Sequence, residues 1–360
     1  MSVGMVNAYA GIWFDSIGLT TFQIGLLGSI PMLGLLLVTT SIGRLSDRAD
    51  DWKQAIVIGS AVSSLAALGL FLSTAFWWVL AVWTLTSLAQ RAMVPVSDAA
   101  ALRLARREGL DFGRLRALST IGYLLVILGA GLLLDGGGLG WFLPLFAGFG
   151  LLRMGAALRL PRMRAADALP SRARLTGHLR PAFLLPLLAW ALVDATHIIL
   201  NSFQGLLWVR YGIPTGLVGP LIALGALAET LLFWRFRDIA ARVSPLWLIG
   251  AAGAAAVVRY GAMALEPGVA VLVLLQLMHA LTYAMGFLAT ANFIADRVPE
   301  ENAAEAQSLL VMLELVIATA AVAGFGWLAG HWGSGAYLGS AALGAAGLIC
   351  VLAAARRQSP

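Results

Sequence analysis

Twelve apolar runs divide the chain, at residues 1–14, 22–42, 54–73, 76–100, 117–134, 139–160, 182–208, 216–234, 245–264, 268–293, 306–328 and 335–355. Most have the length of a helix that crosses a bilayer, about 20 residues. The connections between them are mostly short, so neighbouring runs are expected to form antiparallel hairpins. Many of the 40 glycines fall inside the runs, where small residues let membrane helices approach closely. The pattern predicts an all-α integral membrane protein of twelve transmembrane helices. The first run is the exception: only fourteen residues precede Asp15. Either the true start lies upstream, the reading favoured here, or the first helix is short. The opening residues lack a basic segment, so no secretory leader is expected.

Composition strengthens this reading. Hydrophobic residues make up 60% of the chain and charged residues 12%, against about 25% charged in an average soluble domain. The mean hydropathy is +0.87. The net charge of +6 is not arranged as a phosphate-binding face with stacking aromatics, so no nucleic-acid partner is expected. Instead the basic residues sit in blocks between alternate runs. All except Arg91, Arg210 and Arg259 belong to the even-numbered connections and the tail. That asymmetry predicts both termini on the cytoplasmic side of a bacterial-type inner membrane. Cys350 is the only cysteine, which rules out a disulfide or a cysteine-based metal site within one chain.

The longest polar stretch, 161–181, contains Pro161 and Pro170 and lies mid-chain. It is expected to be a cytoplasmic basic linker between an N-terminal six-helix half, 1–160, and a C-terminal half, 182–360. Paired six-helix halves with a binding site near the bilayer midplane are an established plan for secondary transporters.

The second connection reads Gly43-Arg44-Leu45-Ser46-Asp47-Arg48. It resembles the G-x-L-x-D-R loop of the major facilitator superfamily, and the resemblance implies that fold, with a truncated first helix. Five further stretches resemble the phenylpropionic acid transporter family, a branch related to lactose permease and nucleoside permeases. They are Pro95-Val96-Ser97-Asp98-Ala99, Asp111-Phe112-Gly113-Arg114-Leu115-Arg116, Ala228-Glu229, Val258-Arg259-Tyr260-Gly261 and Leu277-Met278-His279. The resemblance implies proton-coupled uptake of an aromatic or other organic acid, 3-phenylpropionate among them, or of a sugar. It implies a small-molecule substrate, a proton gradient as the driving force with no cofactor, and a monomer. Gly43, Asp47, Arg48, Asp98, Asp111 and Arg114 would form a conformational latch, because a cytoplasmic acid and arginine can pair across helix ends. A solvated turn is the plainer reading of the same residues.

Ionisable side chains inside spans are costly and usually functional or paired. The seventh run carries Asp194, His197, Asn201 and Gln204, spaced to share one helical face. They are expected to line a cavity, or else to satisfy one another as an interhelical network. In the fourth run, Thr84, Ser87, Arg91 and Asp98 repeat the device, with Arg91 and Asp98 about 10 Å apart along the axis at 1.5 Å per residue. Glu229, Arg259 and His279 form the most informative set. Symporters resembling lactose permease place an acid, an arginine and a histidine on the same helices. A carboxyl that alternates between apolar surroundings and a nearby cation can bind and release a proton. Such proteins also carry an acid one turn beyond the histidine, where this chain has Thr282. The coupling acid is therefore expected at Glu229, with Glu314 and Asp194 as rivals. Phe203, Phe233, Trp234 and Tyr283 are expected around these groups, and Gln276, His279 and Tyr283 share a face. A buried ion pair that only fixes packing is the alternative for the trio.

Sugar or nucleoside symport through hydroxyl hydrogen bonds is a second reading, and export of a hydrophobic compound a third. A membrane-embedded transferase would need clustered carboxylates for Mg²⁺. Asp50-Asp51 is an adjacent acidic pair, but Gln54 stands where a third acid is needed. Neither a phosphate-binding loop nor a nucleophile–histidine pair stands out. A receptor or scaffold would be expected to carry a large soluble extension. No enzyme activity and no metal site are expected.

Overall fold

Each apolar run falls on a helical element in a computed structural model of the chain. It describes residues 2–48, 52–109, 112–161, 180–299 and 302–358; the side chains of 38–48 and 112–117 lie outside that description. In lipid, backbone N–H and C=O groups must be satisfied within the segment, which is why apolar runs of this length become helices. Among the described residues there is no strand.

The helices run in order. α1 begins as Ser2–Met5 and continues through a π-turn, Val6–Ala10, into Gly11–Ser16. α2 is Thr21–Arg48, α3 is Trp52–Leu68 and α4 is Phe76–Ala92. After an interruption at Met93, α4 continues as Val94–Arg107, because Pro95 brings no N–H to the first turn. α5 is Phe112–Gly137 and α6 is Phe142–Leu158. α7 is Pro181–Arg210, α8 is Thr215–Ala240 and α9 is Pro245–Met263. α10 begins as Val269–Leu277, opens into a π-turn at Ala280–Ala284, and resumes as Met285–Ala295. α11 is Ala303–Trp332 and α12 is Tyr337–Gln358. By length and composition, nine segments among the described residues can cross a membrane. One of the nine, Glu305–Arg357, holds both α11 and α12.

The chain divides into two compact units. One comprises Met1–Leu19 with Leu26–Pro170, the other Thr20–Gly25 with Ser171–Pro360. The proposed linker lies almost wholly outside the described residues, which resume at Arg180.

In the second unit α7 is the central shaft: 72% of its apolar window is buried, against 28% for α5 and α6 in the first. α7 packs on α11 and α12, and α12 packs along α9. Glycine makes these approaches possible. A Cβ on Gly347 would fall 2.9 Å from the carbonyl oxygen of Ala189, and one on Gly344 would fall 2.9 Å from Cβ of Ala256. The turn from α7 to α8 passes through Gly212 at φ +103°, a conformation other residues rarely adopt.

Candidate functional site

Helices of the second unit bring a continuous polar network into an otherwise apolar interior. Arg259, on α9, is fully buried. Its Nη2 donates to Oε1 of Gln276 at 2.8 Å, and its Nη1 donates to Oγ1 of Thr282 at 3.1 Å and to Nδ1 of His279 at 3.2 Å. Its Nε has no partner among the described residues. Gln276 reaches on to Oε1 of Gln204 at 3.4 Å. The π-turn directly follows His279. Such turns widen a helix and recur at functional sites; here His279 and Thr282 both meet the guanidinium.

The hydrogen bonds fix both tautomers. Arginine can only donate, so Nδ1 of His279 accepts and its proton sits on Nε2. That N–H points toward Oε2 of Glu229, 3.6 Å away, beyond hydrogen-bond length. In His197 the assignment is opposite. Its Nδ1 lies 3.1 Å from the Val193 carbonyl, which can only accept, so Nδ1 carries the proton. Its Nε2 then accepts the hydroxyl of Thr282 at 2.9 Å. Beside it, the Thr196 and Tyr260 hydroxyls share a hydrogen bond of 2.9 Å.

Exposure is graded along this chain of groups. Glu229 and His279 are about one-quarter exposed, at 23% and 22%, whereas His197, Thr282 and Arg259 are buried. The Arg259 hydrogen bonds to Gln276, Thr282 and His279 all go to neutral acceptors. Among the described residues, Glu229 is the one carboxylate at ion-pair distance from a member of the network.

An aromatic ladder flanks the network. His279 stacks on Tyr283 at 5.6 Å, and Tyr283 on Phe287 at 6.1 Å. The rings lie one helical turn apart on α10. Trp190 closes against Tyr283 at 5.9 Å and donates its indole N–H to Oε1 of Glu314 at 2.8 Å. Asp194 and Glu314 are both half-buried.

The other sequence-derived candidates are dispersed. His197 and Gln204 join the network; Asn201 is half-buried with no hydrogen bond to another described residue. Arg91 is exposed on α4, with no partner among the described residues. Asp98 is exposed beside a cavity of the first unit. Side chains of Gly43, Asp47, Arg48 and Arg114, and the whole of Asp111, lie outside the described residues. Phe203 packs on Phe325 at 5.0 Å instead of on the network, and Phe233 and Trp234 are exposed on α8. Only Tyr283 of that group reaches the site, because lipid-facing and interior positions share one apolar composition. Gln276 and Thr282 enter as members whose role spacing does not reveal.

A helical membrane fold with ionisable groups buried in its spans is an arrangement that secondary transporters use. The MFS_1 like family matches residues 1–339, and the chain belongs to that family. A curated relative from Escherichia coli (strain K12), a "Probable 3-phenylpropionic acid transporter", is 27% identical over 320 residues, covering 83% of this chain and 80% of the relative. The solved nucleoside transporter NupG superposes with a TM-score of 0.84 at 15% identity, over 99% of this chain and 96% of that one. An inward-facing, unoccupied bacterial homologue of the human lysosomal transporter Spinster gives a TM-score of 0.71 at 16% identity, over 99% and 93%. These relatives are transporters, and so is this chain; it is not an enzyme.

Proposed function

We propose that the protein is a proton symporter of a small aromatic carboxylic acid of the 3-phenylpropionate kind, working by alternating access, with Glu229 as its coupling carboxyl. The observation that carries the proposal is the order Glu229, His279, Arg259: a partly exposed acid, an imidazole held in one tautomer, and a buried cation lacking a carboxylate partner among the described residues. Charged, Glu229 is drawn toward the His279 N–H and the guanidinium behind it. Protonated, it loses that attraction, and a neutral acid is cheaper to carry through an apolar environment than a charged one. The stacked rings of Tyr283 and Phe287 offer aromatic surface beside the acid. The name carried by the 27% identical relative points to the same substrate class. Arg91, exposed on α4 with no partner among the described residues, is a further candidate cation for a substrate carboxylate.

The basic blocks support an inner-membrane location with both termini cytoplasmic, and the protein is proposed to act as a monomer.

The test is substrate-induced proton movement in proteoliposomes, with 3-phenylpropionate, lactose and nucleosides added separately and protein-free liposomes as control. Protein-dependent external alkalinisation with the aromatic acid is expected. A response only to nucleoside or sugar replaces the substrate class and keeps the coupling scheme. No response from folded protein removes both.

A further inference from the structure

The first unit holds a half-buried arginine that the transport scheme does not use. Arg153 lies on α6, one turn before the helix ends. An arginine near a span end usually extends toward the headgroups. This one is tied inward: its Nη2 donates to Oγ of Ser63 on α3 at 2.7 Å. The two helices are drawn together next to it, where Ser64 donates to the carbonyl of Gly150 at 2.6 Å. Nε of Arg153 is buried without a partner, and among the described residues no carboxylate pairs with the guanidinium.

The side chain borders a cavity of about 370 Å³, within the range of small-ligand sites, about 300–1,000 Å³. Ile56, Met93, Val94 and Ala157 give it apolar walls, and Ser60 and Gln90 add hydroxyl and amide groups. Asp98 also borders the cavity, is exposed, and has an interaction partner of its own. The cavity sits where α3 begins and α6 ends, beside the basic segments that contain Lys53 and Arg159.

A cation with an unused donor, held beside an apolar-walled cavity, is a receptor for one chemistry. We propose that this cavity binds an amphipathic oxyanion, whose phosphate or carboxylate pairs with Arg153 while its apolar body occupies the walls. The guanidinium fork suits either group, since both accept parallel N–H bonds. The apolar lining excludes a fully hydrated inorganic ion as the best ligand, because that lining would replace its water with nothing polar. The anion could come from the phosphate of a membrane lipid or from a soluble aromatic or aliphatic acid.

Binding to the full chain in neutral detergent tests this. Dihexanoyl phosphatidylglycerol, 3-phenylpropionate, inorganic phosphate and the phosphate-free dihexanoylglycerol are titrated separately by calorimetry. Wild type, Arg153→Gln and Ala156→Trp are compared. The tryptophan fills the cavity from Ala156, which also lines it, and leaves Arg153 in place; it guards against a folding defect in the first variant. Expected is a binding event for one amphipathic oxyanion that both variants weaken about tenfold or more, the scale of a lost charge-assisted hydrogen bond. Dihexanoylglycerol and inorganic phosphate should bind more weakly than that ligand. A phosphatidylglycerol event identifies the lipid source; a variant-sensitive 3-phenylpropionate event identifies the soluble acid. The proposal is overturned if all four probes bind both variants as they bind wild type, or if either control probe binds as tightly as the amphipathic oxyanion.

Discussion

Nη1 of Arg259 donates to Nδ1 of His279 at 3.2 Å, and this contact sets the protonation geometry of the imidazole. Its remaining proton must sit on Nε2, facing Glu229. His197, whose ring centre is 5.1 Å away, is held the opposite way by the Val193 carbonyl. The chain has four histidines, few enough for ¹⁵N assignment by single substitutions. Solid-state NMR of histidine-labelled protein at neutral pH should show two distinct rings, half-buried His279 as the Nε2–H tautomer and buried His197 as Nδ1–H. Finding the same tautomer in both would break the donor order described for the network.

Thr282 joins these two histidines through the guanidinium. Its hydroxyl accepts from Arg259 and donates to His197, both within 3.1 Å. Thr282→Val keeps the shape and removes both bonds. Each buried group left without its partner costs about 1–3 kcal/mol, so thermal unfolding in detergent should move to lower temperature. Thr282→Ser restores the hydroxyl and should recover most of the loss. Equal melting of the valine and serine variants would mean the hydroxyl does not hold the network.

Gly286 tests the aromatic wall. A Cβ there would fall 2.3 Å from Cζ3 of Trp190, the indole that donates to Glu314. Gly286→Ala must push the indole aside or bend the helix, and overpacking of this kind costs about 1–3 kcal/mol. Gly261, on α9, has open space around it, so Gly261→Ala should be neutral or mildly stabilising. Melting curves of the two variants should therefore separate. If they coincide, the tight approach of α10 to Trp190 is not rigid.

The network was partly legible because charge inside a span has few explanations. Glu229, Arg259 and His279 are separated by 30 and 20 positions in sequence, yet each interrupts an apolar run. What could not be read was the means of connection. Thr282 and Gln276 are neutral, so they leave no cost signature in a hydropathy pattern. The π-turn at Ala280–Ala284 has no compositional mark at all. In sequence Arg153 cannot be told from the basic blocks flanking the runs, because a cation near a span end looks the same whether it points out to headgroups or in to Ser63. Which aromatics face inward is illegible for a related reason: Trp234 and Trp190 are both tryptophans in spans, and only packing makes one exposed and the other buried. In the fourth run, the break at Met93 followed from Val94-Pro95, which a count of apolar residues passes over.

Glu229 carries the sharpest functional prediction. A glutamine there keeps the size and polarity of the protonated acid but cannot release a proton. If Glu229 couples transport to the gradient, Glu229→Gln can still reorient with substrate bound, since it mimics the state proposed to do so. It cannot return a proton on either side. Counterflow of labelled against unlabelled substrate across proteoliposomes should therefore survive within about threefold, less than 1 kcal/mol of barrier, while accumulation driven by an imposed pH gradient should vanish. Glu314→Gln and Asp194→Asn serve as the comparison, because those acids lie near the same aromatic wall. Both should retain gradient-driven accumulation. If Glu229→Gln accumulates substrate normally and Glu314→Gln does not, the coupling proton belongs to the carboxyl that accepts the Trp190 N–H, and the role of Glu229 reduces to orienting His279.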